Sequence, residues 1–254
     1  MRHIITGALA LMVLSAVTFS CKKNELRSAP FEYTDGKALV KINHACPYAK
    51  NPGIIIKVNG EKVSSAITYS TPYPGGGLNT GGNSYADYLA FAPGDNKVSL
   101  TIPFVGTNRD SIVLHEGTYN VKANIYQTIH FTDTLENTVG VTTIDASNKP
   151  DSGYTEFRFV NLIPNSTGID LYFGPDRVAA NIPYKGTTEA FLLPAGNSLA
   201  WTLRDAGGTT TLGTAYTSAS TVANQRVFTV YARGYRGLPT TDIRSPKISF
   251  VYNK

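Results

Sequence analysis

Between Val40 and Tyr252 the chain writes one pattern of short strands and turns twice, and that duplication constrains the fold more than any single motif. Val40-Lys41-Ile42-Asn43-His44-Ala45-Cys46-Pro47 is matched by Phe157-Arg158-Phe159-Val160-Asn161-Leu162-Ile163-Pro164. Ile54-Ile55-Ile56-Lys57-Val58-Asn59 is matched by Ile169-Asp170-Leu171-Tyr172-Phe173-Gly174, and Ile67-Thr68-Tyr69 by Ile182-Pro183-Tyr184. Further on, Pro93-Gly94 answers Ala195-Gly196, Val98 to Ile102 answers Leu199 to Leu203, and Tyr119 to Ala123 answers Phe228 to Ala232. The closing runs, Val139 to Ile144 and Ile248 to Tyr252, correspond as well.

Each block places apolar residues at every second position, is rich in Val, Ile, Phe, Tyr and Thr, and ends in Gly, Pro, Asn or Asp. That is the period of a half-buried strand bounded by turn chemistry. No stretch after Cys21 keeps a helical period over twelve residues. Seven or eight strands per copy is the arithmetic of a sandwich or small barrel. The expected domains are 36–146 and 154–254, divided by the polar stretch Ala146 to Gly153.

Arg158-Phe159-Val160-Asn161-Leu162-Ile163-Pro164-Asn165, Ile169-Asp170-Leu171-Tyr172-Phe173-Gly174 and Leu193-Pro194-Ala195-Gly196 resemble an Ig-like family of unknown function found in tandem in secreted and lipid-anchored bacterial proteins. The resemblance covers most of 154–234. The first copy departs from it, with His44 at the motif Asn and Ile55 at the motif Asp. It implies an all-β chain of two tandem Ig-like antiparallel β-sandwich domains, placed outside the cytoplasm, with no catalytic residues known for the family.

The N-terminus carries an address. Met1-Arg2-His3 is basic, and Ile4 to Val17 is uncharged and mostly apolar. Fourteen residues rise roughly 21 Å as a helix, short of a ~30 Å hydrocarbon core, so residues 1–20 read as a signal peptide rather than a span. Cys21 directly follows, in a setting that resembles a bacterial lipobox, and is the expected lipidation site. Residues 21–35 form the lipidated Cys and tether, and Lys22 after the Cys points to the outer membrane as the anchored surface. Which face of that membrane is left open.

Composition removes several classes of function. The balance of 23 basic and 18 acidic residues gives +5, without a basic stripe, so no nucleic-acid partner is expected. Four His and two Cys offer little for metal or nucleophilic catalysis. His44-x-Cys46 is half of a zinc site at most, and Asp133, Glu136 and Asp145 match no known Ca²⁺ loop spacing. No G-x-S-x-G, H-E-x-x-H or phosphate loop occurs. The expectation is no enzyme, no catalytic residues, no cofactor and no metal. Asn161 and Asp170 read as turn-fixing side chains, and Tyr231 and Arg233 as a ladder on the solvent face of a strand.

One departure between the copies points to function. Tyr69 to Tyr184 is an offset of 115 and Gly94 to Gly196 one of 102, so the first copy carries 115 − 102 = 13 extra residues. They lie within Ser70 to Tyr88, a run rich in Tyr, Gly, Ser and Asn, the residues that antibody loops use for contact. Tyr73, Asn83, Tyr85, Asp87 and Tyr88 are therefore the candidate ligand-binding residues. The reading is a lipid-anchored envelope protein for surface recognition or adhesion, taking a glycan or a host or envelope protein. The alternative is a structural or assembly subunit of an outer-membrane or periplasmic complex.

Overall fold

The computed structural model describes residues 34–254 apart from Asn108. The signal peptide expected over 1–20, the lipidation site Cys21 and nearly all of the tether lie outside the described residues. Among those described there is no α-helix, and none long and apolar enough to cross a membrane.

The first copy supplies β1 (Ala38–His44), β2 (Ile55–Val58), β3 (Glu61–Lys62), β4 (Thr71–Tyr73), β5 (Gly77–Leu78), β6 (Leu89–Phe91), β7 (Gly94–Pro103), β8 (Asp110–Val121), β9 (Tyr126–Thr132) and β10 (Val139–Ile144). The second supplies β11 (Tyr154–Asn161), β12 (Ile169–Phe173), β13 (Asp176–Ile182), β14 (Phe191–Pro194), β15 (Trp201–Asp205), β16 (Thr211–Tyr216), β17 (Val227–Arg233) and β18 (Lys247–Tyr252).

Alternation along these strands builds two sandwiches. In the first, sheet β10-β9-β1-β4, with β6 also on β1, faces sheet β3-β2-β7-β8. Val40, Ile42, Ile54, Ile56, Val98, Leu100, Ile129 and Phe131 fill the space between. In the second, sheet β14-β11-β17-β18-β5 faces sheet β13-β12-β15-β16, and Trp201 centres a core with Phe157, Phe173 and Phe250. The chain is all-β with sandwich architecture. Most pairs are antiparallel, but β1 runs parallel to β9 and β11 parallel to β17.

Those two parallel ladders establish which strands are equivalent. Leu39 opens opposite Tyr126 in one, and Glu156 opens opposite Val227 in the other, so β9 is the counterpart of β17. The sequence match of Tyr119–Ala123 to Phe228–Ala232 is therefore one strand early, because Tyr119 sits in β8 of the outer sheet. Alternation is blind to such a slide, since neighbouring strands share the same period.

From Thr34 to Lys254 the residues form one compact unit. The faces of β1, β9 and β10 turned away from the first core meet those of β11, β17 and β18 turned away from the second, around Ala45, Val160, Leu162, Tyr231 and Val251. Thr132 Oγ1 donates to Leu162 O across this seam at 2.7 Å. Tyr231 is fully buried and Arg233 is 6% exposed. The solvent-facing ladder expected of them is a buried seam, because the inner sheets are covered on both sides.

Candidate functional site

The extra residues of the first copy leave their own sheet and join the other. Ser70 turns the chain with a left-handed φ of 63°, and its N–H donates to His44 O at 2.7 Å. After β4 pairs with β1, the chain crosses the seam, and β5 adds to the edge of β18, Val251 opposite Gly77 and Phe250 opposite Leu78. The crossing strap is tied by Tyr252 N–H to Gly76 O at 3.1 Å, Asn79 Nδ2 to Ile248 O at 2.6 Å and Ser249 Oγ to Asn79 O at 2.6 Å. Glycine is needed here for approach: a Cβ on Gly77 would lie 1.6 Å from Phe250 O, and one on Gly76 2.4 Å from Asn83 O.

The five candidate residues separate on this strap. Tyr85 is 62% exposed, and Asn83 and Asp87 are exposed beside it. Tyr73 packs half-buried on the first core. Tyr88 is half-buried too: its hydroxyl donates to Asp145 Oδ2 at 2.9 Å, its ring meets Tyr126 edge-on at 5.0 Å, and Lys41 Nζ lies 4.5 Å from its centroid. Burial raises the pKa of the Tyr88 hydroxyl.

Beneath Tyr88 lies a polar cluster that sequence reasoning missed. Lys41 is buried, donates to Tyr252 O, and burial pushes its ammonium pKa down to about 8. Asp145 accepts from Thr128 Oγ1 at 2.6 Å, and burial raises its carboxyl pKa. His130 Nδ1 meets Asn43 Nδ2 at 3.0 Å, and burial, aided by the charge of Lys41, holds its imidazole pKa at about 3. The sequence singles out Asp145 only as a carboxylate that fits no Ca²⁺ loop, and nothing links it to Lys41 and Asn43, which sit where the alternation of β1 predicts solvent.

The strap is flanked by a groove on each side. One, of about 310 Å³, is lined by Leu78, Ser84, Arg226, Phe228 and Tyr252, with the Arg226 guanidinium 5.0 Å from the Tyr252 centroid. The other, of about 330 Å³, is lined by Tyr69, Asn79, Thr80, Arg233 and Lys247. Arg233 Nε donates to Ser249 Oγ at 2.8 Å, and its guanidinium lies 4.8 Å from the Tyr69 centroid. These grooves offer aromatic edges, amides and cations, the furniture of binding.

The remaining candidates are used elsewhere. Asn161 Nδ2 donates to Ser166 Oγ and Ile182 O at 2.9 Å each, and its Oδ1 accepts from Ile163 N–H at 3.0 Å. Asp170 accepts from Asn181 N–H at 2.6 Å and Gly207 N–H at 3.1 Å. Both fix turns. Cys46 is a buried free thiol, pushed up in pKa by burial. Asp133 accepts from Tyr235 OH at 2.6 Å while Asp145 lies in the seam. Among the described residues no three His, Cys, Asp or Glu are grouped to hold a metal ion.

Fold and grooves together define an all-β tandem-sandwich protein with a strap across its seam. The family model described as "Domain of unknown function (DUF4397)" matches residues 38–172, and the chain belongs to that family. The match spans the first copy and ends within β12, whereas the motifs that suggested the family run from Arg158 to Gly196. Among solved structures, the chain is similar to a candidate cell adhesion protein from Bacteroides uniformis ATCC 8492, at 7% identity over 85% of this chain and 97% of that one. The TM-score is 0.22, a level at which neither fold nor function transfers. No curated protein matches the chain.

Proposed function

We propose that the protein is a non-catalytic recognition module of the cell envelope, tethered by lipid at Cys21 after removal of residues 1–20, and that its ligand meets the strap. The observation that carries this reading is the strap itself. A segment present in one copy only is held against both sandwiches, edges a groove on each side, and still leaves Tyr85, Asn83 and Asp87 in solvent. A held loop with exposed Tyr and Asn binds at low entropic cost.

The test is a glycan and host-protein array probed with the full chain and with a Tyr85→Ala, Asn83→Ala, Asp87→Ala variant. The expected result is a hit lost in the variant at unchanged melting temperature. Undiminished binding overturns the reading. Mass spectrometry of the membrane-extracted protein, with Cys21→Ser as control, tests the anchor.

An assembly role is the second reading, favoured by the β7–β8 hairpin. Val105 is fully exposed and Phe104, Ile112 and Val113 about half exposed, an apolar tip of the kind that protein contact covers. Crosslinking in intact cells that captures an envelope partner through Val105 favours this reading.

A further inference from the structure

Arg233 and Lys247 stand directly opposite each other on β17 and β18. Like charges opposed across a ladder destabilise it, and neither has a carboxylate in ion-pair reach among the described residues. The near acid, Asp242, is spent on Arg244, with Oδ1 3.0 Å from Nε and Oδ2 2.7 Å from Nη2. Arg233 is 6% exposed and Lys247 half-buried, and burial together with the Arg233 charge lowers the pKa of the Lys247 ammonium. The Tyr69 hydroxyl, buried in the same groove, has no hydrogen bond of good geometry among the described residues, and Arg233 is the cation that faces it.

The other lining groups have unspent capacity. Asn51 Oδ1 accepts from Tyr69 N–H at 2.8 Å, which leaves its NH₂. Thr80 Oγ1 accepts from Gly77 N–H at 3.1 Å, which leaves its O–H. Asn79 gives its NH₂ to Ile248 O, which leaves its carbonyl. Two cations therefore sit in a cup of about 330 Å³ ringed by neutral amides and a hydroxyl. Cations answer an anion, and neutral donors and acceptors answer hydroxyl groups.

We infer that this groove binds the carboxylate of an acidic saccharide, with Arg233 and Lys247 clasping the anion and Asn51, Asn79 and Thr80 taking neighbouring hydroxyls. The inference rests on the recognition reading above and narrows its ligand. A bound carboxylate relieves the Arg233–Lys247 repulsion, so binding and stability rise together.

Calorimetric titration of the full chain tests it with three probes: a glucuronic-acid-terminated disaccharide, its methyl ester, and a glutamate-rich peptide. The expected result is binding of the acid alone, weakening as salt rises. Lys247→Gln weakens it about tenfold or more while keeping or raising the melting temperature, since it removes the repulsion, and Lys247→Arg restores binding. Equal binding of acid and ester overturns the anion assignment and leaves recognition standing. Preference for the peptide overturns the saccharide. Silence toward all three overturns the inference, while the array decides recognition separately.

Discussion

His130 and Tyr231 occupy equivalent positions of the two copies, each the fifth rung of its parallel ladder, and their rings meet at 6.0 Å in the seam. Around them the equivalence recurs. Thr128 Oγ1 donates to Asp145 Oδ2 at 2.6 Å in the first copy, and Asn253 Nδ2 donates to Thr229 Oγ1 at 2.8 Å in the second. The same face of each copy thus meets its counterpart, as in a two-fold dimer, but within one chain.

A seam of this kind couples the sandwiches. Trp201 is the single tryptophan, buried in the second core with Nε1 donating to Thr221 Oγ1 at 3.1 Å. Its fluorescence reports the second sandwich, whereas far-UV circular dichroism reports both. The urea transitions of the two signals are expected to coincide. A Trp201 transition separated from the circular-dichroism midpoint shows that the sandwiches unfold independently.

The buried histidines set the acid limit. His44 and His130 are held neutral, each with a pKa of about 3 against 6.5 in the unfolded chain, chiefly through burial. Between pH 6.5 and 3 the unfolded chain takes up protons that the folded chain refuses. Stability is therefore complete above pH 6.5 and falls as pH drops through that window, by about 1.4 kcal/mol per unit for each histidine. Asp145, raised in pKa, opposes part of the loss. Urea midpoints at pH 7, 6, 5 and 4 check this: His130→Gln flattens the curve, and an unchanged slope refutes it.

The strands, the duplication and the 13-residue insertion were legible because each is a statement about local period or length. What the insertion does was not, since β5 finds its partner Val251 far along the chain. Alternation along Ala38-Leu39-Val40-Lys41-Ile42-Asn43-His44 identifies two faces but not what covers the second. Every residue of β1 is buried, and so is every residue of β17. The solvent-facing ladder expected of Tyr231 and Arg233 fails for that one reason, and Lys41 carries no signal of its own for the same reason. Tyr73 and Tyr88 had the right composition for a contact loop, yet two of its ring faces went inward to pack.

Lys41 and Asp145 share one buried site without a direct ion pair. Removing the cation leaves the buried carboxylate to its hydroxyl donors, Tyr88, Thr128 and, at 3.4 Å, Thr143. Lys41→Met is expected to cost about 2–4 kcal/mol, and adding Asp145→Asn to recover more than half of it. The check is the double-mutant cycle in urea. Additive losses overturn the coupling.

Asp170 gathers two backbone N–H groups and Arg177 Nη1 at 3.3 Å, which together hold its carboxyl below the usual range against the opposing effect of burial. Asp170→Asn keeps the shape but loses the charge, at an expected cost of about 1–3 kcal/mol near neutral pH. The difference from wild type shrinks as pH falls through the carboxylate range, because stability from a lowered acid pKa exists only above it. A cost independent of pH assigns Asp170 to packing alone.

The strap gives the most local prediction. An alanine methyl at Gly77 meets Phe250 O, so Gly77→Ala forces β5 off the edge of β18. The backbone bond from Tyr252 N–H to Gly76 O and the clasp of Ser249 Oγ on Asn79 O then loosen with it. The clash is with backbone at the sheet edge, and it touches the second core only through Phe250 and Leu78, so the variant is expected to fold, with a loss of about 1–3 kcal/mol. Hydrogen exchange should quicken at Leu78 and Tyr252 while the amides of β11 and β15 stay protected. Limited proteolysis should cut within Pro74 to Asp87 in the variant before it cuts the wild type. If exchange at Tyr252 is unchanged, β5 is not what holds the strap, and the side-chain bonds of Asn79 and Ser249 carry the crossing instead.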